Sequence, residues 1–109
     1  MIIAWTTVEK RADADTLARG AVEQRFAVCA QIDGPVTSYF HWDGKLDTAQ
    51  EYRIWFKCLP ANASALSVWV HAHHPYATPQ WIEVAAESVG EKYLSWAIAN
   101  STPAPFPTS

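Results

Sequence analysis

The sequence of 109 residues lacks the features that mark several large classes of protein. Its two cysteines, Cys29 and Cys58, are too few and too far apart for a disulfide scaffold or a Cys-x-x-Cys redox motif, and their apolar surroundings predict buried thiols. No apolar run approaches the roughly 18 residues that span a bilayer. The first ten residues, MIIAWTTVEK, have neither the basic leader nor the cleavage site of a signal peptide. We therefore expect a cytoplasmic protein that does not associate with membranes.

Basic clusters and the common signature motifs of catalysis are also absent. The eight lysine and arginine residues are dispersed and the formal net charge is −3, whereas a nucleic-acid-binding protein presents a clustered basic surface. The sequence contains no G-x-S-x-G nucleophile elbow, dinucleotide-binding glycine motif, phosphate-binding loop or H-E-x-x-H zinc motif. It therefore predicts a protein that binds no nucleic acid and is not an enzyme.

Aromatic residues, by contrast, are abundant: there are six tryptophans, four tyrosines and four phenylalanines. A domain of this size has a small interior, so this many large rings are hard to bury within it. Several of these side chains are therefore expected to lie on an interface.

Hydrophobic periodicity predicts a single domain, residues 1–101, ahead of a Pro-rich tail, residues 102–109. The predicted elements, in chain order, are a strand at 2–7, a helix at 13–26, strands at 27–42 and 45–59, a helix at 61–74, a strand at 80–87 and a helix at 91–100. This order is that of an α+β protein with both main helices on one face of an antiparallel sheet. We predict a ferredoxin-like βαββαβ sandwich with a long central hairpin and a short C-terminal helix.

The two main helices are predicted to cover the sheet with apolar stripes. Asp13 is the predicted cap of the first helix, and Gly20 within it indicates a close approach to the sheet, because glycine costs about 1 kcal/mol relative to alanine there. Pro60 begins the second helix and Pro75 ends it. The stripe residues are Ala14, Leu17, Ala18, Ala21, Val22 and Phe26 in the first helix and Leu66, Trp69, Val70 and His73 in the second.

The central hairpin is the strongest local prediction. Asp43 and Gly44 form the dipeptide most typical of a tight hairpin turn, and the Gly-Pro pair at 34–35 predicts a kink or bulge in the preceding strand. At roughly 30 residues the hairpin exceeds ordinary strand lengths, so its outer half must project and needs a partner to cover it. The predicted interface residues, which self-association would bury, are Trp42, Trp55 and Tyr39.

The segment HAHHPYATPQW, residues 71–81, carries three of the four histidines. On a helix His71 and His74 share a face, whereas His73 points toward Trp69. His73, His74 and His71 are therefore candidate ligands for Cu²⁺ or Zn²⁺, ions that normally take three or four ligands from a protein. In the alternative interpretation His73 packs beneath the helix and His74 satisfies carbonyl groups before Pro75. The residues alone leave both interpretations open.

Taken together, several segments resemble the CutA family of divalent-cation tolerance proteins. The matching segments are TT at 6–7, AVEQRFAVCAQI at 21–32, GPVTSYFHWDGKL at 34–46, Glu51 and Lys57 in the third strand, HHPYATP at 73–79 and YLSW at 93–96. The resemblance implies a ferredoxin-like subunit in a compact homotrimer, similar in shape to the PII signalling proteins, in which neighbouring hairpins pair. It also implies a link to the tolerance of copper and other divalent cations and to copper binding.

The resemblance also supplies a copper-ligand set, which this sequence retains only in part. The family set combines a cysteine of the first strand, a histidine of the HHPY segment and a glutamate after the second proline. The matching positions here are Trp5, His73 and Gln80, so only the histidine is kept. A substitute site would draw on His71, His74 or His41 together with a carboxylate such as that of Glu83.

The predicted function is that of a soluble homotrimeric divalent-cation tolerance protein that responds to metal ions and binds copper or another divalent cation weakly. The alternative is a PII-like trimeric sensor or scaffold that binds a small molecule between subunits, an inference that rests on analogy of fold.

Overall fold

A computed structural model of the chain describes residues 1–101, and the predicted tail at 102–109 lies outside the described residues. The elements are β1 (Ile2–Val8), α1 (Arg11–Glu23), β2 (Cys29–Trp42), β3 (Lys45–Cys58), a 3₁₀ turn (Pro60–Asn62), α2 (Ala63–His73), β4 (Ile82–Ala85) and α3 (Glu91–Ala99). The strands form one antiparallel sheet in the order β2-β3-β1-β4. The predicted α+β, ferredoxin-like fold is therefore confirmed.

The core lies between one face of the sheet and the two helices α1 and α2. Alternate residues of β1 and β3 point into it, as the period of 2 requires. The fully or nearly buried residues of this cluster include Ala4, Val8, Ile54, Phe56 and Cys58 from the sheet and Leu17, Ala21, Leu66 and Val70 from the helices. The opposite face of the sheet, which carries Trp5, Arg53 and Trp55, is called the open face below.

Two details of the first helix differ from the prediction. The helix begins two residues before Asp13, its N-cap is Lys10, and no side chain caps it. Asp13 lies in the first turn instead, where its carboxylate still faces the positive end of the helix dipole. Val22, predicted in the buried stripe, lies one residue before the end of α1 and is 38% exposed; His73, predicted in the stripe of the second helix, is exposed as well.

The hairpin of β2 and β3 has the predicted turn and the predicted irregularity. Asp43 and Gly44 both have positive φ angles, 54° and 75°, as a type I′ hairpin turn requires. The register between the strands shifts between Asp33 and Val36, around the Gly-Pro pair. Since β1 pairs only with residues 52–58 of β3, no third strand from residues 1–101 lies beside the outer half of the hairpin.

None of the helices within residues 1–101 is long and apolar enough to cross a membrane.

Candidate functional site

The end of α2 places the three clustered histidines in two different environments. The helix ends at His73, and His74 has extended backbone angles, φ −74° and ψ 136°. Pro75 explains this, because a proline disfavours helical angles in the residue before it. The prediction that His71 and His74 share a helical face is therefore wrong, since His74 lies outside the helix.

The imidazole of His74 is held by hydrogen bonds at both ring nitrogens. Its Nδ1 accepts the backbone N–H of Tyr76 at 3.1 Å. Its Nε2 lies 3.1 Å from the Thr7 carbonyl oxygen and 2.9 Å from the hydroxyl oxygen of Thr6, which itself donates to the Gln80 carbonyl oxygen at 2.6 Å. A carbonyl oxygen can only accept, so Nε2 carries the proton and the ring is neutral. His74 thus occupies the structural role left open by the sequence.

Burial is the main influence on the protonation of His74. It lowers the pKa of the imidazole below its usual value, although the Thr7 carbonyl oxygen and the carboxylates of Asp13 and Glu51 act in the opposite direction. A metal ion bound by this side chain would have to displace one of the hydrogen bonds at its ring nitrogens.

A buried carboxylate, that of Glu51, lies close to this histidine; Glu51 was named in the sequence only as part of the family resemblance, with no indication that it is buried. Glu51 of β3 is only 9% exposed. The Tyr76 hydroxyl donates a hydrogen bond of 2.9 Å to its Oε2. Burial, and then this hydrogen bond to a carboxylate, raise the pKa of Tyr76. The sequence did contain Tyr76, directly after the His-His-Pro run. Its hydrogen-bond partner, Glu51, could be identified only from the tertiary structure.

His71 and His73 present a different arrangement from His74. The Nδ1 atoms of their rings lie 2.7 Å from the backbone carbonyl oxygens of Ser67 and Trp69, one helical turn earlier. Each Nδ1 therefore donates its proton, and the lone pair lies on Nε2. Metal-binding histidines commonly have this pattern, in which a carbonyl oxygen orients the ring through the other nitrogen. The His73 ring also stacks on Trp69 at 4.4 Å, as predicted.

Glu83 lies near His71 through a shared neighbour. The His71 ring meets the edge of Trp81 with a centroid distance of 5.7 Å, and the Trp81 Nε1–H donates to Glu83 Oε2 at 2.8 Å. His41 is not brought to this region, because it pairs with Leu46 at the outer end of the hairpin. Leu46 is five residues before Glu51, so this position lies roughly 17 Å along β3 from the carboxylate near His74, at about 3.3 Å per residue.

Within residues 1–101 no three side chains of His, Cys, Asp or Glu are arranged to hold a metal ion. The structure therefore offers fewer than three such ligands at any one place in these residues. An ion bound by so few protein ligands keeps several waters and is held weakly.

The residues at the family's copper-ligand positions do not fit a copper ion. Trp5 pairs with Trp55 across β1 and β3, and the two indoles stack at 5.0 Å on the open face. Thr6, the next residue, points to the other face and contacts His74. The backbone of the sheet thus separates the Trp5 ring from the histidines, and an indole N–H offers no lone pair to a metal. The three positions do not form a site within one chain.

The two thiols are placed differently from each other. Cys58 is buried as predicted, and burial followed by the charge of Glu83 raises its pKa to about 11. Cys29 was also predicted to be buried, but it is only partly covered; it starts β2 opposite Lys57, and its thiol interacts with Tyr93 of α3. Lys57 lies over the ring of Tyr93 in α3, at 5.8 Å from its centroid.

Comparison with known proteins identifies the family. Residues 2–100 match the model of the CutA1 divalent ion tolerance protein. The divalent-cation tolerance protein CutA of Yersinia pestis is 30% identical over 95 residues, which cover 87% of this chain and 80% of the relative. The resemblance seen in the sequence is thereby confirmed.

Solved structures agree with this assignment. The divalent cation tolerance protein of Thermus thermophilus superposes with a TM-score of 0.88 at 29% identity, covering 94% of this chain and 100% of that one. CutA1 from Oryza sativa superposes with a TM-score of 0.89 at 27% identity, covering 93% of each chain. The chain therefore belongs to the CutA1 divalent ion tolerance family.

Proposed function

We propose that this protein serves divalent-cation tolerance as a cytoplasmic homotrimer without enzymatic activity, and that it binds divalent cations weakly through exposed imidazoles. Family membership across residues 2–100 is the observation that carries the proposal.

The projecting hairpin supports self-association. Its outer half carries large aromatic side chains that are exposed to solvent in the isolated subunit: Tyr39 is 72% exposed and Trp42 is 63% exposed. The edge strand β4 also leaves Ile82 and Val84 partly exposed. Sister copies would cover these surfaces, which otherwise invite uncontrolled pairing. Trp55, also predicted at the interface, lies on the open face beside Trp5, and three copies of this face could pack together.

The trimer is tested by light scattering of the purified full chain, which should give three times the mass of one chain. Trp42→Asp should weaken the assembly, because it places a charge in a surface that must lose its water. Val68→Asp on α2 is the matched control, since Val68 is 64% exposed but lies outside the hairpin. A monomer from the unaltered protein at micromolar concentration, or equal assembly by both variants, would refute this part of the proposal.

Weak cation binding is assigned to the Nε2 atoms of His71 and His73, whose lone pairs point away from the helix carbonyls. His74 is left out, because both of its ring nitrogens already take part in hydrogen bonds. In calorimetry with Cu²⁺ and with Zn²⁺, His71→Ala and His73→Ala should each lower the affinity for the ion by about tenfold. His41→Ala is the control and should bind like the unaltered protein; equal affinity in all variants would exclude the histidine site.

A second candidate, a small-molecule sensor, is favoured by the buried Glu51. A carboxylate this far from water normally has several donors, and the Tyr76 hydroxyl supplies one of them. A cationic or hydroxylated ligand between subunits would supply more. A metabolite screen by thermal shift should then find a compound that raises the melting temperature, and Glu51→Gln should abolish that increase. An increase that persists in Glu51→Gln would place the ligand elsewhere.

A further inference from the structure

We infer that this chain binds copper with no contribution from Trp5, Gln80 or either thiol, so that any copper centre it forms has no thiolate ligand. The inference deepens the proposed function and rests on it for the identity of the imidazoles. It concerns a departure of this chain from the ligand set that its family resemblance implies.

Position 5 has become a packing position. The Trp5 indole is stacked on Trp55 at 5.0 Å with an angle of 28° between the rings, and the Arg53 guanidinium lies 5.9 Å from the Trp55 ring centroid. Aromatic pairs of this geometry stabilise cross-strand contacts by their own interaction beyond the area that they bury. A side chain held in this way, with no lone pair to donate, cannot act as a ligand.

Position 80 has a structural role of a different kind. The backbone carbonyl oxygen of Gln80 accepts the hydroxyl of Thr6, which ties the segment before β4 to the helix-covered face of β1. The amide side chain that replaces a carboxylate is neutral, and its oxygen is a weak ligand for Cu²⁺ compared with imidazole or carboxylate. Losing the negative charge here removes the electrostatic reason for an ion to bind.

Neither cysteine replaces the missing thiolate. Cys58 is fully buried among core residues, so a metal ion could reach its sulfur only if the core opened. Cys29 pairs in register with Lys57, whose ammonium group lies over the neighbouring Tyr93 ring and repels a cation. The histidines belong to the other side of the sheet from Cys29, because they contact the helices and the Thr6 side of β1.

The absence of an available thiolate has a consequence for metal preference. Thiolate and thioether sulfur select Cu⁺, whereas imidazole and carboxylate suit Cu²⁺ and Zn²⁺. The chain should therefore bind Cu²⁺ weakly and compete poorly for Cu⁺ against a chelator.

The test uses the full-length protein with copper(II) chloride, followed by electron paramagnetic resonance and near-ultraviolet absorption. We expect nitrogen and oxygen ligation with no thiolate-to-copper charge-transfer band. Trp5→Phe and Gln80→Ala should bind Cu²⁺ as the unaltered protein does. Such a band, if removed by Cys29→Ser or Cys58→Ser, would overturn the inference, as would an affinity lowered by about tenfold or more in either of the first two variants.

The folding of each variant is checked by near-ultraviolet circular dichroism. Should Trp5→Phe fail to fold, Gln80→Ala and competition with a Cu⁺ chelator still decide the question, because strong retention of Cu⁺ would contradict the inference. The double variant His71→Ala/His73→Ala separates the two proposals. Copper binding that survives in it, without a thiolate band, would reject the proposed histidine site and leave the inference intact.

Discussion

The indole of Trp69 lies against the backbone of Gly20, where α2 packs on α1. A β carbon built at Gly20 would lie 2.6 Å from Cζ2 of Trp69, and it would also overlap Cη2. The close approach that this glycine indicates is therefore to the second helix and not, as the sequence suggested, to the sheet. The same indole carries the stacked ring of His73, so Gly20 sets the position of one candidate ligand.

We predict that Gly20→Ala destabilises the fold although alanine favours helix. The helix gain is about 1 kcal/mol, whereas forcing a methyl group into an occupied space costs about 1–3 kcal/mol. Urea unfolding at fixed protein concentration should show a net loss of up to about 2 kcal/mol. In a Trp69→Leu background the same change should cost nothing or stabilise, since the indole is gone. A free energy of unfolding raised in the single variant by the full helix gain of about 1 kcal/mol would refute the contact.

The hydrogen bond between Tyr76 and Glu51 gives a second prediction. Tyr76→Phe leaves a buried carboxylate without this donor, which should lower the free energy of unfolding by about 1–3 kcal/mol. The control is the same substitution in a Glu51→Ala background, where the hydroxyl has lost its partner and its removal should change stability little. If Tyr76→Phe lowers the free energy of unfolding equally in both backgrounds, the hydrogen bond to Glu51 does not contribute to stability.

The lowered pKa of His74 predicts that the free energy of unfolding falls in acid. Its pKa is lowered in the folded state by burial, so the unfolded chain binds a proton more readily over the range between the two values. The contribution is fully present above the usual histidine pKa of about 6.5 and is lost as the pH falls through the folded value. Urea unfolding between neutral pH and pH 5 should show a shallower slope in His74→Gln, whereas His41→Gln should keep the original slope.

The two thiols should differ in reactivity. Burial and a raised pKa keep Cys58 protonated and covered, while Cys29 is partly accessible. Iodoacetamide at mildly alkaline pH, followed by mass spectrometry, should label Cys29 well before Cys58. In Cys29→Ser the remaining thiol should react only when urea unfolds the chain. Rapid labelling of Cys58 in the native protein would contradict its placement in the core.

Much of the fold follows from local patterns in the sequence. The Asp43-Gly44 turn needs two positive φ angles, which these residues tolerate, and the alternation in β3 needs one apolar face. The predicted cap was wrong at Asp13, because several residues near a helix start can satisfy the same pattern. The residue at which a helix begins depends on which of its turns packs against the sheet.

The sequence by itself determined the order of the elements, the position of the turn and most of the buried stripes, since each depends on residues close together in the chain. It also determined the family, through segments that occur in a fixed order along the chain. Only the tertiary structure decided that Tyr76 meets Glu51, 25 residues away, and that His74 meets Thr6, 68 residues away. It also decided that Trp5 faces away from the histidines. Periodicity shows which residues share a face, but it cannot show which distant side chain lies opposite, because that depends on how the whole chain packs.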